Sequence, residues 1–382
     1  MFAPCTITIS RSALRNNLDL LRRRIGGARL CSVVKGNAYG HGLKPFIPLA
    51  MEMGVDYFAV YSADEAWYVV EHLRRRPDLF IMGMVEGDAL AWAIDHGVEF
   101  AVYDMPRLDA ALKLAAKLRK PARVHIEVET GMHRTGFDAQ ALGAVMDRLR
   151  AHPAQVELVG LFTHFAGAES RSNDHRVTAQ MARFEHARAR MEAAGLVARY
   201  AHQACSAAVM NYPGTVGPMA RIGIMQYGFW PNQETWFRYS AVQGGDADPL
   251  RRIIGWHSRI MALTDVRAGA FIGYGAAYEA PHPMRIAVVP VGYAHGFTRG
   301  LSNFGKVLVR GQQAPVIGTV NMNAISVDVS GIEGVERGDD VVLIGEQGDQ
   351  RITVASFSEM SEVLNYELLT RLPRHIPRTI VN

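Results

Sequence analysis

The sequence predicts an α/β protein: an N-terminal (β/α)8, TIM-like barrel over residues 10–240, then a second, mostly β domain over 241–382. Two features carry this expectation. Between about residue 10 and residue 240, short β-rich apolar runs alternate with longer segments of helical period, the pattern of repeated βα units that build parallel sheets. From about residue 241 the texture changes. Gln243-Gly244-Gly245-Asp246-Ala247-Asp248-Pro249 reads as a polar, turn-rich linker, and short strands punctuated by glycine follow it. A chain of 382 residues suits two domains better than one compact core.

Leu14, Leu18, Leu21 and Ile25 share one helical face, with Ser10 available as an N-cap, and predict the first helix. Leu30 to Val34, Tyr57 to Val60, Leu79 to Met82, Val98 to Val102, Val124 to Val128 and Leu158 to Thr163 read as parallel strands. Weaker runs at His202 to Cys205 and Ile222 to Tyr227 bring the number to eight, enough for a barrel of about 230 residues. An open doubly wound sheet is the competing arrangement. In the second domain the strand candidates are Arg259 to Thr264, Arg285 to Val289, Lys306 to Val309, Ala324 to Val329 and Asp340 to Ile344. One helix is expected near Val354 to Leu364. The alternating Thr6 to Ile9 segment, within residues 1–9, is expected to pair with this domain.

Composition narrows the function. With 49% hydrophobic and 20% charged residues and a net charge of +4, the chain has ample core material and no strong polyanion signal. The basic clusters Arg22-Arg23-Arg24 and Arg74-Arg75-Arg76 each follow a helical pattern, where cations favour the negative end of the helix dipole. No aromatic residues interleave with them, which argues against a nucleic-acid face. Cys5, Cys31 and Cys205 form neither a disulfide framework nor a zinc pattern. No metal site is expected. No apolar run reaches about 18 residues, so neither export nor membrane spanning is expected. Cytoplasmic residence fits these features.

The chemistry concentrates in Val33-Val34-Lys35-Gly36-Asn37-Ala38-Tyr39-Gly40-His41-Gly42. Lys35 directly follows the first predicted barrel strand, at the C-terminal edge where such barrels place their reacting groups. A lysine at the end of a buried strand is costly unless paired or deprotonated. Gly36, Gly40 and Gly42 give the backbone freedom and allow a ligand to approach closely.

Here the sequence resembles the alanine racemase family, and the resemblance spans essentially the whole chain. It implies a barrel plus a C-terminal β domain and pyridoxal 5'-phosphate (PLP) as cofactor. Lys35 would hold PLP as a Schiff base, and Tyr39 would contact its phosphate. In Thr163-His164-Phe165-Ala166, His164 would pack on the pyridine ring, although a lone strand-end histidine is more often a satisfied core residue. Ser206, after His202-Gln203-Ala204-Cys205, resembles a phosphate-binding serine. In Arg221-Ile222-Gly223-Ile224 the arginine would face the pyridine nitrogen, while Gly223 and Ile224 would add phosphate contacts. An arginine there cannot accept a proton, which moderates the electron sink and favours reprotonation at the α-carbon over transamination.

Arg134, in Glu129-Thr130-Gly131-Met132-His133-Arg134, matches the family's arginine near the cofactor oxygen and substrate carboxylate. Tyr274, in Gly273-Tyr274-Gly275 ahead of Tyr278, would be the second acid/base, because inversion needs one base on each face of the α-carbon. Met322, in Gly318-Thr319-Val320-Asn321-Met322-Asn323, would bind the substrate carboxylate through its backbone. Tyr293 and Tyr366 would narrow the entrance, and Tyr366 would also reach the phosphate. In the family Tyr274, Tyr293 and Met322 serve the partner subunit's cofactor, which implies a homodimer with shared sites.

The sequence also departs from the family. Glu127 stands where many members carry a carbamylated lysine, and it keeps the negative charge on a shorter arm to orient Arg134. Asn321 and Asn323 flank Met322 where relatives often read Cys-Met-Asp, and Cys205 stands where asparagine is common. Alanine is the expected substrate, with serine or another small amino acid left open, since shape alone excludes a hydroxyl poorly. A basic amino-acid decarboxylase would carry an acidic residue at the Arg221 position. A single-barrel PLP carrier would lack the β domain.

Overall fold

The computed structural model describes residues 3–245, 247–354 and 365–382. Packing divides the chain into two compact units, one of residues 13–36 and 47–252, the other of 1–12, 37–46 and 253–382. After strand β1 (Cys5–Ser10) and helix α1 (Arg11–Ile25), the first unit is built on eight strands. These are β2 (Arg29–Val33), β3 (Tyr57–Val60), β4 (Asp78–Ile81), β5 (Glu99–Val102), β6 (Ala122–Glu127), β7 (Val156–Phe162), β8 (Tyr200–His202) and β9 (Met219–Ile222). Every ladder between them is parallel, in the order β8-β7-β6-β5-β4-β3-β2-β9. A bridge between Cys205 and Arg221, with the Arg221 N–H donating to the Ala204 carbonyl at 3.0 Å, joins the two ends. The sheet is thus a nearly closed barrel, as the alternating pattern predicts, and not an open sheet.

The helices that follow are α2 (Lys35–Tyr39), α3 (Leu43–Glu52), α4 (Ala63–His72), α5 (Gly87–Asp95), α6 (Met105–Leu118), α7 (Ala141–Ala151), α8 (Asp174–Ala193), α9 (Ser206–Asn211) and α10 (Gln233–Gln243). Leu14, Leu18, Leu21 and Ile25 are buried on α1, so the period-3.6 stripe faces the core as expected. The last two strands lie earlier than the sequence suggests. Gly223, at φ −102° and ψ −108°, ends β9, and residues 224–227 form a 3-10 turn. The side chains of Gln226 and Tyr227 then return to the Val33 carbonyl, at 3.0 Å each. Helix α10 was not foreseen. Asn232 caps it by accepting the Thr235 N–H at 2.8 Å, and Gly244 ends it at φ 71°.

The second unit is one largely antiparallel sheet. Its strands are β1 and β10 (Ile254–Arg259), β11 (Ala262–Val266), β12 (Met284–Val289), β13 (Lys306–Val309), β14 (Gln312–Ile317), β15 (Ile325–Asp328), β16 (Asp340–Gln347), β17 (Gln350–Ile352) and β18 (Arg378–Val381). They run β11-β12-β15-β14-β13-β16-β10-β1-β18, with β17 on β16. β1 lies between β10 and β18, so the N-terminal strand does pair with the C-terminal sheet. The strand expected over Arg259 to Thr264 is two strands. Ile260 and Met261 send their N–H groups to different neighbours, Asp339 and Val288, and the ladder breaks between them. The helix expected near Val354 to Leu364 falls outside the described residues apart from Val354; helix α11 spans Asn365–Arg371.

Local backbone chemistry is most unusual at α2. Gly36, Asn37, Ala38, Tyr39 and Gly40 all have φ between 50° and 82°, so the turn is left-handed. Each non-glycine residue held there costs about 1–2 kcal/mol. Compensating bonds run from Gly42 N–H to the Asn37 carbonyl at 2.8 Å and from Leu43 N–H to Asn37 Oδ1 at 3.1 Å. A Cβ on Gly40 would stand 1.8 Å from the Leu369 carbonyl oxygen. Gly40→Ala is therefore expected to destabilise the protein by about 2–4 kcal/mol, since both the strained φ and a backbone clash oppose it. A lower urea midpoint at unchanged slope checks this; an unchanged midpoint contradicts it.

Candidate active site

The C-terminal ends of the barrel strands gather the titratable groups. Lys35 lies two residues beyond β2, after Val34 has donated its N–H to the Ala59 carbonyl at 2.8 Å. Lys35 is exposed as a residue, and the barrel mouth partly desolvates its ammonium. Desolvation first, and then the positive charge of Arg134, push its pKa down; Glu65 opposes them. The shift is in the direction of the nucleophilic amine form.

Arg134 sits on the loop after β6. That loop folds back so that Phe137 N–H donates to the Glu127 carbonyl at 2.8 Å, and Glu129 N–H to the Phe137 carbonyl at 3.0 Å. The Glu129 carboxylate gathers the backbone N–H groups of Gly131 and His133. Glu127 itself is buried, which pushes its carboxyl pKa up; a hydrogen bond from Thr135 and the charges of Arg134 and Arg221 pull it back. Among the described residues Glu127 and Arg134 form no direct ion pair. Their interaction is electrostatic at longer range.

His164 lies two residues beyond β7. Burial, then the charges of Arg221, Arg134 and Lys35, bring its pKa down to about 3, so the ring is neutral throughout the physiological range. The charges of Arg221, Arg134 and Lys35 thus all bear on the His164 ring.

Arg221 is the most tightly held of them. Its NH1 donates to His202 Nδ1 at 2.6 Å and to the His202 carbonyl at 2.9 Å, and its NH2 to the Thr163 carbonyl at 2.7 Å. Its guanidinium also lies 5.4 Å from the Phe162 ring centroid. Ser206, the first residue of α9, accepts the Gly223 N–H on Oγ at 2.9 Å and so ties α9 to the end of β9. Ile224 follows, buried, in the 3-10 turn.

The remaining candidates belong to the β-rich unit. Tyr39 ends the left-handed turn. Tyr274 stands at the tip of a loop closed by Ile272 N–H donating to the Tyr278 carbonyl at 2.9 Å; it is flanked by Gly273 and Gly275 at φ 78° and 70° and is 76% exposed. Tyr293 and Met322 come together through the backbone, Tyr293 N–H donating to the Asn321 carbonyl at 3.0 Å and Ala294 N–H to the Met322 carbonyl at 2.9 Å. Both side chains are exposed. Tyr366 belongs to α11, and its side chain lies outside the described residues.

Several side chains passed over by the sequence reading stand behind Arg221. His202, His125, Glu99 and Tyr57 are buried and hydrogen-bonded in series. Their signal was present as charged or imidazole residues inside otherwise apolar strand runs, Val98-Glu99-Phe100 and Val124-His125-Ile126.

Comparison with known proteins agrees with this layout. The profile of the alanine racemase N-terminal domain matches residues 9–231, and that of the C-terminal domain matches residues 253–380. The chain belongs to the alanine racemase family. An alanine racemase of Syntrophobacter fumaroxidans is 37% identical over 97% of this chain and 95% of its own length. One of Symbiobacterium thermophilum is 33% identical over 98% and 96%. Among solved structures, an alanine racemase of Clostridium difficile 630 superposes with a TM-score of 0.91 at 27% identity, covering 100% of this chain and 96% of that one.

Within this family arrangement Glu127 invites a direct test. Glu127→Gln keeps the shape and the Thr135 contact but removes the charge that Arg134 feels. Activity is expected to fall about tenfold, with an altered pH profile, because a charged hydrogen-bonding group outweighs a neutral one by a kcal/mol or so. Full activity with an unchanged profile would remove Glu127 from any role in orienting Arg134.

Proposed function

We infer that the protein is a PLP-dependent alanine racemase that interconverts L- and D-alanine. The observation that carries this reading is the pairing, at one barrel mouth, of a desolvated lysine with an arginine pinned by three acceptors. The residues present fit the cofactor. Lys35 is held toward its amine form, Arg221 offers only N–H groups to a ring nitrogen, and the cations of Arg134 and Arg221 suit a phosphorylated, phenolic ligand. When bound, PLP supplies the electron sink that acidifies the substrate's α-hydrogen.

The chain's own groups then divide the work. Lys35 moves the α-proton on one face and Tyr274 on the other. Arg134 and the Met322 backbone hold the substrate carboxylate, with Glu127 tuning Arg134. His164 packs on the cofactor ring. Tyr39, Ser206, Gly223, Ile224 and Tyr366 are assigned to the phosphate end, with Ser206 and Gly223 already bonded to each other. Tyr293 narrows the entrance with Tyr366.

Tyr274, Tyr293 and Met322 are large side chains left exposed on the β-rich unit, which supports their serving the neighbouring copy in a homodimer. A homodimer by sedimentation, inactive when dissociated, is the expected result. No helix among the described residues is long and apolar enough to cross a membrane. Free cysteines at 5, 31 and 205 support a reducing, cytoplasmic setting, with supply of D-alanine for cell-wall precursors as the role.

The deciding experiment is a racemisation screen of alanine, serine and larger amino acids with PLP present and chiral detection. Alanine is expected to reach an equal mixture from either enantiomer, faster than any competitor. Preferential turnover of serine would replace the substrate, and release of carbon dioxide without inversion would overturn the reaction.

A further inference from the structure

A row of buried polar groups crosses the barrel interior, where such barrels normally pack apolar layers. It starts at Arg221, whose NH1 is 2.6 Å from His202 Nδ1. His202 Nε2 is 2.9 Å from His125 Nδ1, and His125 Nε2 is 2.9 Å from Glu99 Oε2. Tyr57 donates its hydroxyl to the same Glu99 oxygen, and Arg123 pairs with the other at 2.7 Å. Arg123 continues to Glu157 at 3.2 Å, toward solvent. The row thus leads from the barrel mouth through the core to a partly exposed ion pair.

The direction of every bond in the row is set at its two ends, where a guanidinium can only donate and an ionised carboxylate can only accept. His202 Nδ1 must therefore accept, which leaves its single ring proton on Nε2. That proton is donated to His125 Nδ1, so His125 in turn carries its proton on Nε2. The acceptor at the far end must be an anion or a lone pair, and Glu99 provides it. Both imidazoles are neutral, since burial pushes their pKa values down, the charge of Arg221 adding to this at each, and Glu99 only partly opposes it at His125. Glu99 stays ionised because, against the cost of burial, the hydrogen bonds of His125 and Tyr57 and the charge of Arg123 prevail.

Packing holds the rings in place. His125 stacks on Phe80 at 4.1 Å and His202 on Phe162 at 5.2 Å. Gly160 leaves the room, since a Cβ there would come 1.9 Å from His125 Nδ1. A glutamate, two histidines and an arginine are an expensive way to fill a core, because apolar groups of the same volume would stabilise it as well.

We propose that Glu99 is a positioning residue for Arg221: through His125 and His202 its carboxylate fixes both imidazoles with the proton on Nε2, so that Arg221 always meets an acceptor at His202 Nδ1. This rests on the reading of Arg221 as the partner of the cofactor's ring nitrogen. Without Glu99, the two imidazoles could reverse their tautomers together. Arg221 would then face an N–H, and the guanidinium would lose its anchor and turn.

The test is nitrogen-15 NMR of the histidine rings in the PLP-loaded protein and again before loading. Wild-type His125 and His202 are expected to be protonated on Nε2 only, with a low-field N–H resonance for His125 from its bond to a carboxylate. Glu99→Gln should abolish that resonance and shift the visible absorption band of bound PLP. It should also lower kcat about tenfold, in the range typical of groups that orient a cofactor ligand, with KM for alanine little changed. Glu99→Asp should recover part of each effect. A proton on Nδ1 of wild-type His202 overturns the proposal without any variant, so a Glu99→Gln protein that fails to fold does not protect it. Unchanged tautomers in Glu99→Gln overturn it too, as do altered tautomers with wild-type kcat and absorption. Failure of the wild-type chain to bind PLP would sink the racemase reading instead, while the ring-proton pattern would still be measured.

Discussion

Lys35→Ala is expected to abolish racemisation, with kcat/KM falling by about four orders of magnitude or more, the scale seen when a covalent catalytic group is removed. The reason is chemical. Among the described residues Lys35 is the lysine whose pKa desolvation and the charge of Arg134 together lower. No neighbouring side chain can replace a primary amine in both covalent attachment and proton transfer. After borohydride reduction, mass spectrometry should find PLP attached at residue 35 of the wild-type chain and none in the variant. Lys35→Arg keeps the charge and should fail in the same way, which separates nucleophilic loss from electrostatic loss. Covalently retained PLP in Lys35→Ala would place the attachment elsewhere. Circular dichroism should show both variants folded, since Lys35 lies outside the packed core and its loss creates no cavity.

Tyr274→Phe is expected to be one-sided. Deleting a hydroxyl that serves as general base on one face removes about 10²- to 10⁴-fold in rate for proton transfer on that face. Exchange of the α-hydrogen of L-alanine with deuterium oxide should suffer most, while exchange from D-alanine, which relies on Lys35, should survive better. Proton NMR of the two enantiomers in separate tubes gives the two rates. The substitution sits on an exposed loop tip whose conformation is set by Gly273 and Gly275, so the fold is expected to be untouched. Equal losses for both enantiomers would remove the one-sided role from Tyr274.

Much of this was legible in residue order. The period-3.6 stripe of α1 and the apolar runs of β3 and β13 coincide with the observed elements, because those segments bury one face or both with no competing side-chain chemistry. The Lys35 segment was legible because a lysine closing an apolar run among three glycines is uncommon in ordinary structure. Where side chains capture the backbone, prediction slipped. The sequence around Ile222 to Tyr227 is apolar enough for a strand, yet Gln226 and Tyr227 bond to Val33, nearly two hundred residues earlier in the chain, and turn it into a 3-10 helix.

Sequence by itself determined the alternation of strands and helices, the switch to a β-rich second half, and the position of Lys35 just past a strand end. Periodicity and local glycine chemistry are properties of neighbouring residues and need no partner to be seen. Tertiary structure alone decided that the eight strands nearly close, that the Lys35 turn is left-handed, and that Arg221 is held from behind by His202, His125 and Glu99. Those four residues come from four different strands, β9, β8, β6 and β5, and only barrel closure brings their side chains to hydrogen-bonding distance. The energy of such a row depends on burial and on mutual orientation, quantities that no single segment of sequence contains.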